Sequence, residues 1–282
     1  MRTWRAWLYS QQFVLVRSSE CFHDSKYASK VATYLGIDSS GCVWRRLDVE
    51  ETVIDQKRKI ALVVFVCIVF ISSVLAGSIS VFLMQIIFST ITIPLIATKP
   101  YETARLYTIV FLVAVCFVFV IYMANQQAYG NSYYIGGSDD LYFEEEAKMI
   151  ADAGVYNPKK LLGTILDPWD NAPIFKAYLA WMIQFGELFT GFTTFMPRIA
   201  NVYFLLWSAM LFEHFLRRFT NFADKEIRFT IAVFTLAPNI LNINSHVFRD
   251  TFNLLLIFLI LFAFERLMTN KRLTRTVASL LV

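Results

Sequence analysis

The sequence predicts an all-α, polytopic integral membrane protein, and three observations predict it. Hydrophobic residues make up 57% of the chain and 27 residues are phenylalanine, too apolar for a soluble domain that must keep a polar surface. Ile60 to Thr98 contains no charged residue, enough for two crossings at about 20 residues each. Lys and Arg gather at the ends of apolar runs, as in membrane anchoring. The formal charge of +4 therefore implies no nucleic-acid partner.

Residues 1–59 alternate aromatic, polar and charged residues, without the basic start and apolar stretch of a cleaved signal peptide. They are expected to form a cytoplasmic extension. Cys21, Cys42, Cys67 and Cys116 lie far apart and suggest no disulfide framework. Cys21-Phe22-His23 with Cys42 lacks the paired spacing of zinc sites, and Cys67 and Cys116 read as small hydrophobes in apolar runs.

Six to seven spans are expected. Residues 60–98 should form a hairpin turning near Ala76-Gly77-Ser78, with Pro94 near the far end of its second helix. Leu106 to Ala124 makes a third span. A fourth opens at Met196-Pro197-Arg198, where Pro loses no helical N–H bond, and ends at Arg217-Arg218. Phe229 to Asn244 and Thr251 to Leu267 make a fifth and sixth, slightly short unless Arg228 and Arg266 snorkel, and Leu273 to Val282 resembles the start of another.

With two spans in the hairpin, the clusters Lys57-Arg58-Lys59, Lys99/Arg105, Arg217 to Arg228 and Arg266 to Arg275 all fall on one side, the cytoplasmic one. The organisation is then a 1–59 extension, three spans in 60–124, an extracytoplasmic loop in 125–197 and further spans in 198–282, in a bacterial or archaeal cell membrane. The apolar segment from Pro173 to Gly186 is too short to cross. Counting it as a crossing would also put Arg217-Arg218 outside, so an interfacial helix is expected there.

The outward loop is acidic: Asp139, Asp140, Glu144, Glu145, Glu146, Asp152, Asp167, Asp170 and Glu187 stand against four lysines. After Gly136-Gly137, Ser138 or Asp139 can cap a helix from about Asp140 to Ala153, ended by Gly154. Its stripe Phe143, Ala147 and Ile150, beside Tyr142 and Met149, would lie on the membrane surface, with Glu144, Glu145 and Lys148 facing away. Capping explains one aspartate at the helix start better than two. The alternatives are that Asp139 and Asp140 hold a divalent metal ion, or that one removes a proton from a hydroxyl.

This order of features resembles the polyprenyl-phosphate-dependent glycosyltransferases of the membrane C-type fold, such as protein mannosyltransferases and the aminoarabinose transferases of lipid A. The resemblance rests on layout over residues 125–282. It comprises Asp139-Asp140-Leu141-Tyr142 before an amphipathic helix, Pro173 with Tyr178, Trp181 and Gly186, then Pro197-Arg198, Arg217-Arg218, Ala237-Pro238 and Arg249-Asp250. Residues 1–59 and the first hairpin have no counterpart there, and family members are longer, so a fragment is expected.

The resemblance implies transfer of a sugar from a polyprenyl-phosphate donor to a glycan, lipid or protein acceptor, as in cell-surface polysaccharide assembly. Asp139, Asp140 and Asp250 are the candidate catalytic carboxylates. Tyr142, Lys159, Lys160, Arg198, His246 and Arg249 are candidates for binding substrate and phosphate. Plainer readings make Arg198 and Arg249 interfacial anchors, His246 a wetted surface residue and Asp250 a helix cap. A polysaccharide polymerase or ligase, a transport protein and a structural membrane protein are the rival functions; the loop's lack of Arg argues against the first.

Overall fold

A computed structural model describes residues 42–130, 132–133, 139–154, 162–163, 165 and 172–269, with residues 42–55 and 139 described in backbone only. The chain divides into two compact units at Gln56/Lys57. In the first unit the described residues, 42–56, are the start of a helix; all that follows concerns the second.

The main described helices are α1 (Cys42–Ala76), α2 (Ile79–Ala97), α3 (Tyr101–Tyr129), α4 (Asp139–Asp152), α5 (Pro173–Glu187), α6 (Phe195–Phe219), α7 (Asp224–Leu236), α8 (Pro238–Asn244) and α9 (Asp250–Thr269). Five stretches are long and apolar enough to cross a membrane: Gln56–Ala76 within α1, then α2, α3, α6 and α9. The hairpin turns where expected. Gly77 takes a left-handed φ of 61° that a side chain would strain, and the Ser78 hydroxyl caps α2 by accepting from the Val81 N–H at 3.4 Å.

The expected fifth span is broken. Pro238 cannot continue α7's hydrogen bonding, so the chain kinks at Ala237 and restarts as the seven-residue α8. Leu273 to Val282 lies outside the described residues.

Helix α6 is the axis of the fold. In its most apolar stretch 72% of residues are buried, against 17% for α9, so α6 is enclosed while α9 shows most of its surface outward. It packs on α2, α3, α5, α7, α8 and α9. The outer faces of α1 and α9 carry exposed Phe70, Val74, Leu75, Ile260 and Phe264, an exterior suited to hydrocarbon. Where apolar burial drives little helix association, interhelical hydrogen bonds help. Gln85 accepts from Ser72 at 3.0 Å and donates to Ser73 at 2.8 Å, Tyr203 meets the Ser89 hydroxyl at 2.9 Å, and Trp207 donates to Thr92 at 2.9 Å. At the other end of α6, buried Glu213 accepts from Lys99 and Tyr107, both at 2.7 Å, and from Arg217 at 2.8 Å.

Candidate functional site

Helix α4 buries Asp140, Phe143, Glu144, Ala147 and Ala151, spaced so that they share one face. This corrects the expected orientation. Tyr142 and Met149 are exposed, whereas Glu144 faces inward because it lies one turn after Asp140 on the same side. There it accepts from the Tyr133 hydroxyl and pairs with Lys148 at 2.7 Å. Burial, followed by the bond to Glu144, holds the Tyr133 phenol well above its ordinary pKa, so it stays a donor.

Helix α5 packs along α4. Phe143 meets Phe175 edge-on with ring centres 5.4 Å apart, Gln184 donates to the Ala151 carbonyl at 2.6 Å, and buried Lys176 reaches Glu146 at 3.3 Å over the Tyr142 ring. The Ser80 hydroxyl ties α5 to α2 by donating to the Gly186 carbonyl at 3.1 Å. Gly186 is required because a Cβ would sit 2.8 Å from the Phe192 Cα.

The site forms where α4 meets the start of α6 and the 245–249 connection between α8 and α9. Pro197 opens α6, and Arg198 and Asn201, one turn apart, point at that connection. Arg198 donates from one terminal nitrogen to the Ser245 carbonyl at 3.0 Å and from the other to the Ser132 carbonyl. Asn201 donates to the carbonyls of His246 at 3.0 Å and Phe248 at 3.4 Å. Asp140 enters this frame from above: its Oδ2 accepts from the Val247 N–H at 3.4 Å and lies 3.7 Å from His246 Nδ1 and 3.9 Å from Arg198 Nη2. Tyr122 places its ring 5.7 Å from the guanidinium. Asp140 and Arg198 are fully buried and neutralise each other's charge.

Three buried polar atoms in this frame have no partner among the described residues: Asp140 Oδ1, Arg198 Nε and Asn201 Oδ1. Leaving such atoms bare costs about 1–3 kcal/mol each, so their grouping marks a place for water or ligand.

Of the expected site residues, the structure brings Asp140, Arg198 and His246 together. Arg198 is no interfacial anchor and His246 no wetted surface residue, since both are buried. Asp139 opens α4 but its side chain lies outside the described residues, as do Lys159 and Lys160. Arg249 is half-buried with its guanidinium 5.7 Å from the Phe143 ring, and Asp250 is exposed at the first position of α9. The segment that meets Asp140 is His246-Val247, just before Asp250. No group of three or more His, Cys, Asp and Glu side chains among the described residues is placed to hold a metal ion.

Sequence reasoning missed Asn201, Glu144 with Tyr133, and Lys176. Asn201 had a usable signal, an amide one helical turn after Arg198 in an otherwise apolar run. The carbonyls of Ser132 and Ser245 had none, because backbone partners carry no residue signature. No protein-family model, curated protein or solved structure matches the chain.

Proposed function

We propose that the chain is a membrane glycosyltransferase that moves a sugar from a polyprenyl-phosphate donor to an acceptor reaching the site from the extracytoplasmic side. The observation that carries this reading is Asp140: a buried carboxylate, held by Val247 N–H and the Arg198 charge through Oδ2, whose Oδ1 has no partner among the described residues. The unpartnered oxygen is the one free to take a proton from an acceptor hydroxyl. As the acceptor's hydroxyl oxygen attacks the anomeric carbon, its proton goes to Asp140 and the carbon–oxygen bond to the leaving polyprenyl phosphate breaks. Lys159, Lys160 and Arg249 are the phosphate-binding candidates; Asp139 and Asp250 are the supporting carboxylates, and Asp139 with Asp140 would be the start of any metal site.

The test supplies labelled polyprenyl-phosphate sugars to membranes containing the chain or its Asp140→Asn, Asp139→Asn and Asp250→Asn variants. Loss of transfer of about 100-fold or more is expected for Asp140→Asn; transfer unchanged in all three would remove the mechanism. A transport protein is the second reading, favoured by the helix break at Ala237-Pro238 together with the buried Asp140–Arg198 pair. Uptake of a solute into vesicles, without sugar transfer, would select it.

A further inference from the structure

Resting on the glycosyltransferase reading, we infer that the Asp140–Arg198–Asn201 cluster is the acceptor subsite, that it takes an uncharged vicinal diol such as two neighbouring hydroxyls of a sugar ring, and that phosphate is bound elsewhere.

An arginine that binds phosphate does so through the fork of two parallel N–H groups. Here each terminal nitrogen of Arg198 already gives one N–H to a backbone carbonyl, one to Ser245 at 3.0 Å and the other to Ser132, so the fork is split between two segments of the chain. These bonds tie the loop to the α8–α9 connection, so a phosphate gripped by both terminal nitrogens would compete with the carbonyls that hold the site together. It would also meet the Asp140 carboxylate, whose Oδ2 lies 3.9 Å from the same guanidinium. A second anion in that space is disfavoured.

The unmet hydrogen-bonding capacity has a different character. The atoms with no partner at all among the described residues are the donor Arg198 Nε and the acceptors Asp140 Oδ1 and Asn201 Oδ1, all buried. Asn201 is oriented by its amide nitrogen, which donates to the His246 and Phe248 carbonyls and leaves the oxygen as the remaining acceptor. Two neighbouring hydroxyls supply two donors and at least one acceptor without bringing charge. One hydroxyl donates to Asp140 Oδ1, the base of the reaction, and the other donates to Asn201 Oδ1 while one of them accepts from Arg198 Nε. A cation fits less well, because the guanidinium stands among the ligands. Asp140 reaches the frame from α4 through contacts of 3.4–3.9 Å, longer than tight hydrogen bonds.

The test uses the full chain in detergent and a panel of methyl glycosides (gluco, galacto, manno and arabino), with inorganic phosphate as competitor. At least one glycoside should bind, inorganic phosphate should not displace it, and Asn201→Ala should weaken it about five- to tenfold, the loss of one hydrogen bond. In the transfer assay Asn201→Ala should raise the acceptor KM by the same factor and leave the donor KM within about twofold. Binding of no glycoside, displacement by phosphate, or unaltered glycoside affinity in a folded Asn201→Ala protein overturns the assignment. If Asn201→Ala does not fold, the phosphate competition with the unmodified chain decides alone. Glycoside binding without sugar transfer would keep the diol site and remove the transferase reading; transfer with glycoside affinity indifferent to Asn201 would do the reverse.

Discussion

Replacing Asp140 with Ala leaves the fully buried Arg198 without its counter-charge. At 3.9 Å and an effective dielectric constant near 20, the pair is worth about 4 kcal/mol, in line with the roughly 3–5 kcal/mol lost when one partner of a buried pair is removed. The carbonyls of Ser132 and Ser245 still engage the guanidinium, which places the expected loss near 3 kcal/mol. At about 2–4 °C per kcal/mol for a unit of this size, thermal unfolding in detergent should fall by roughly 6–12 °C. Asp140→Asn keeps an oxygen for the Val247 N–H and loses only charge, so its shift should be about half. In the Asp140→Ala/Arg198→Met double variant, the cost should fall well short of the sum of the single losses, because no bare charge is left. A drop of under 1 °C for Asp140→Ala, or full additivity in the cycle, would refute the coupling of these two residues.

Gly186→Ala forces a Cβ to within 2.8 Å of the Phe192 backbone, and should cost about 1–3 kcal/mol despite alanine's better helix propensity, read as a lower unfolding temperature. Tyr203→Phe removes the hydroxyl between α6 and α2 and should cost about 0.5–1.5 kcal/mol in the same measurement. Arg217 beside Asp224 holds that carboxyl below its ordinary value, so its stabilisation is present above the usual carboxylate range and fades as pH falls through it. Asp224 is largely exposed, so Asp224→Asn should change stability by well under 1 kcal/mol at neutral pH and nothing in acid, compared by melting at both. With the native cysteines replaced by Ala, Lys148→Cys should label from outside intact cells and Lys225→Cys only after permeabilisation; the opposite pattern would invert the topology.

Which residues form helices was legible because hydropathy and helix punctuation act locally. The uncharged run over 60–98, Gly77-Ser78 and Pro197 mark where α1, α2 and α6 begin or end whatever packs on them. Pro238 was visible too, but whether a helix kinks there or restarts depends on neighbours that replace the lost hydrogen bond. The site was legible only as single residues: Asp140 stood out in the acidic pair at a helix start of the outward loop, Arg198 and His246 as polar positions at the ends of apolar runs. Three things came only with the tertiary structure: Glu144 turned inward, Asp140 met His246-Val247 rather than Asp250, and each terminal nitrogen of Arg198 donated to a backbone carbonyl. Side-chain type and spacing along the chain mark a crossing segment, because lipid acts on each helix alike. Which buried charge faces which backbone oxygen is set by three segments more than 40 residues apart, and that pairing exists only once they are packed.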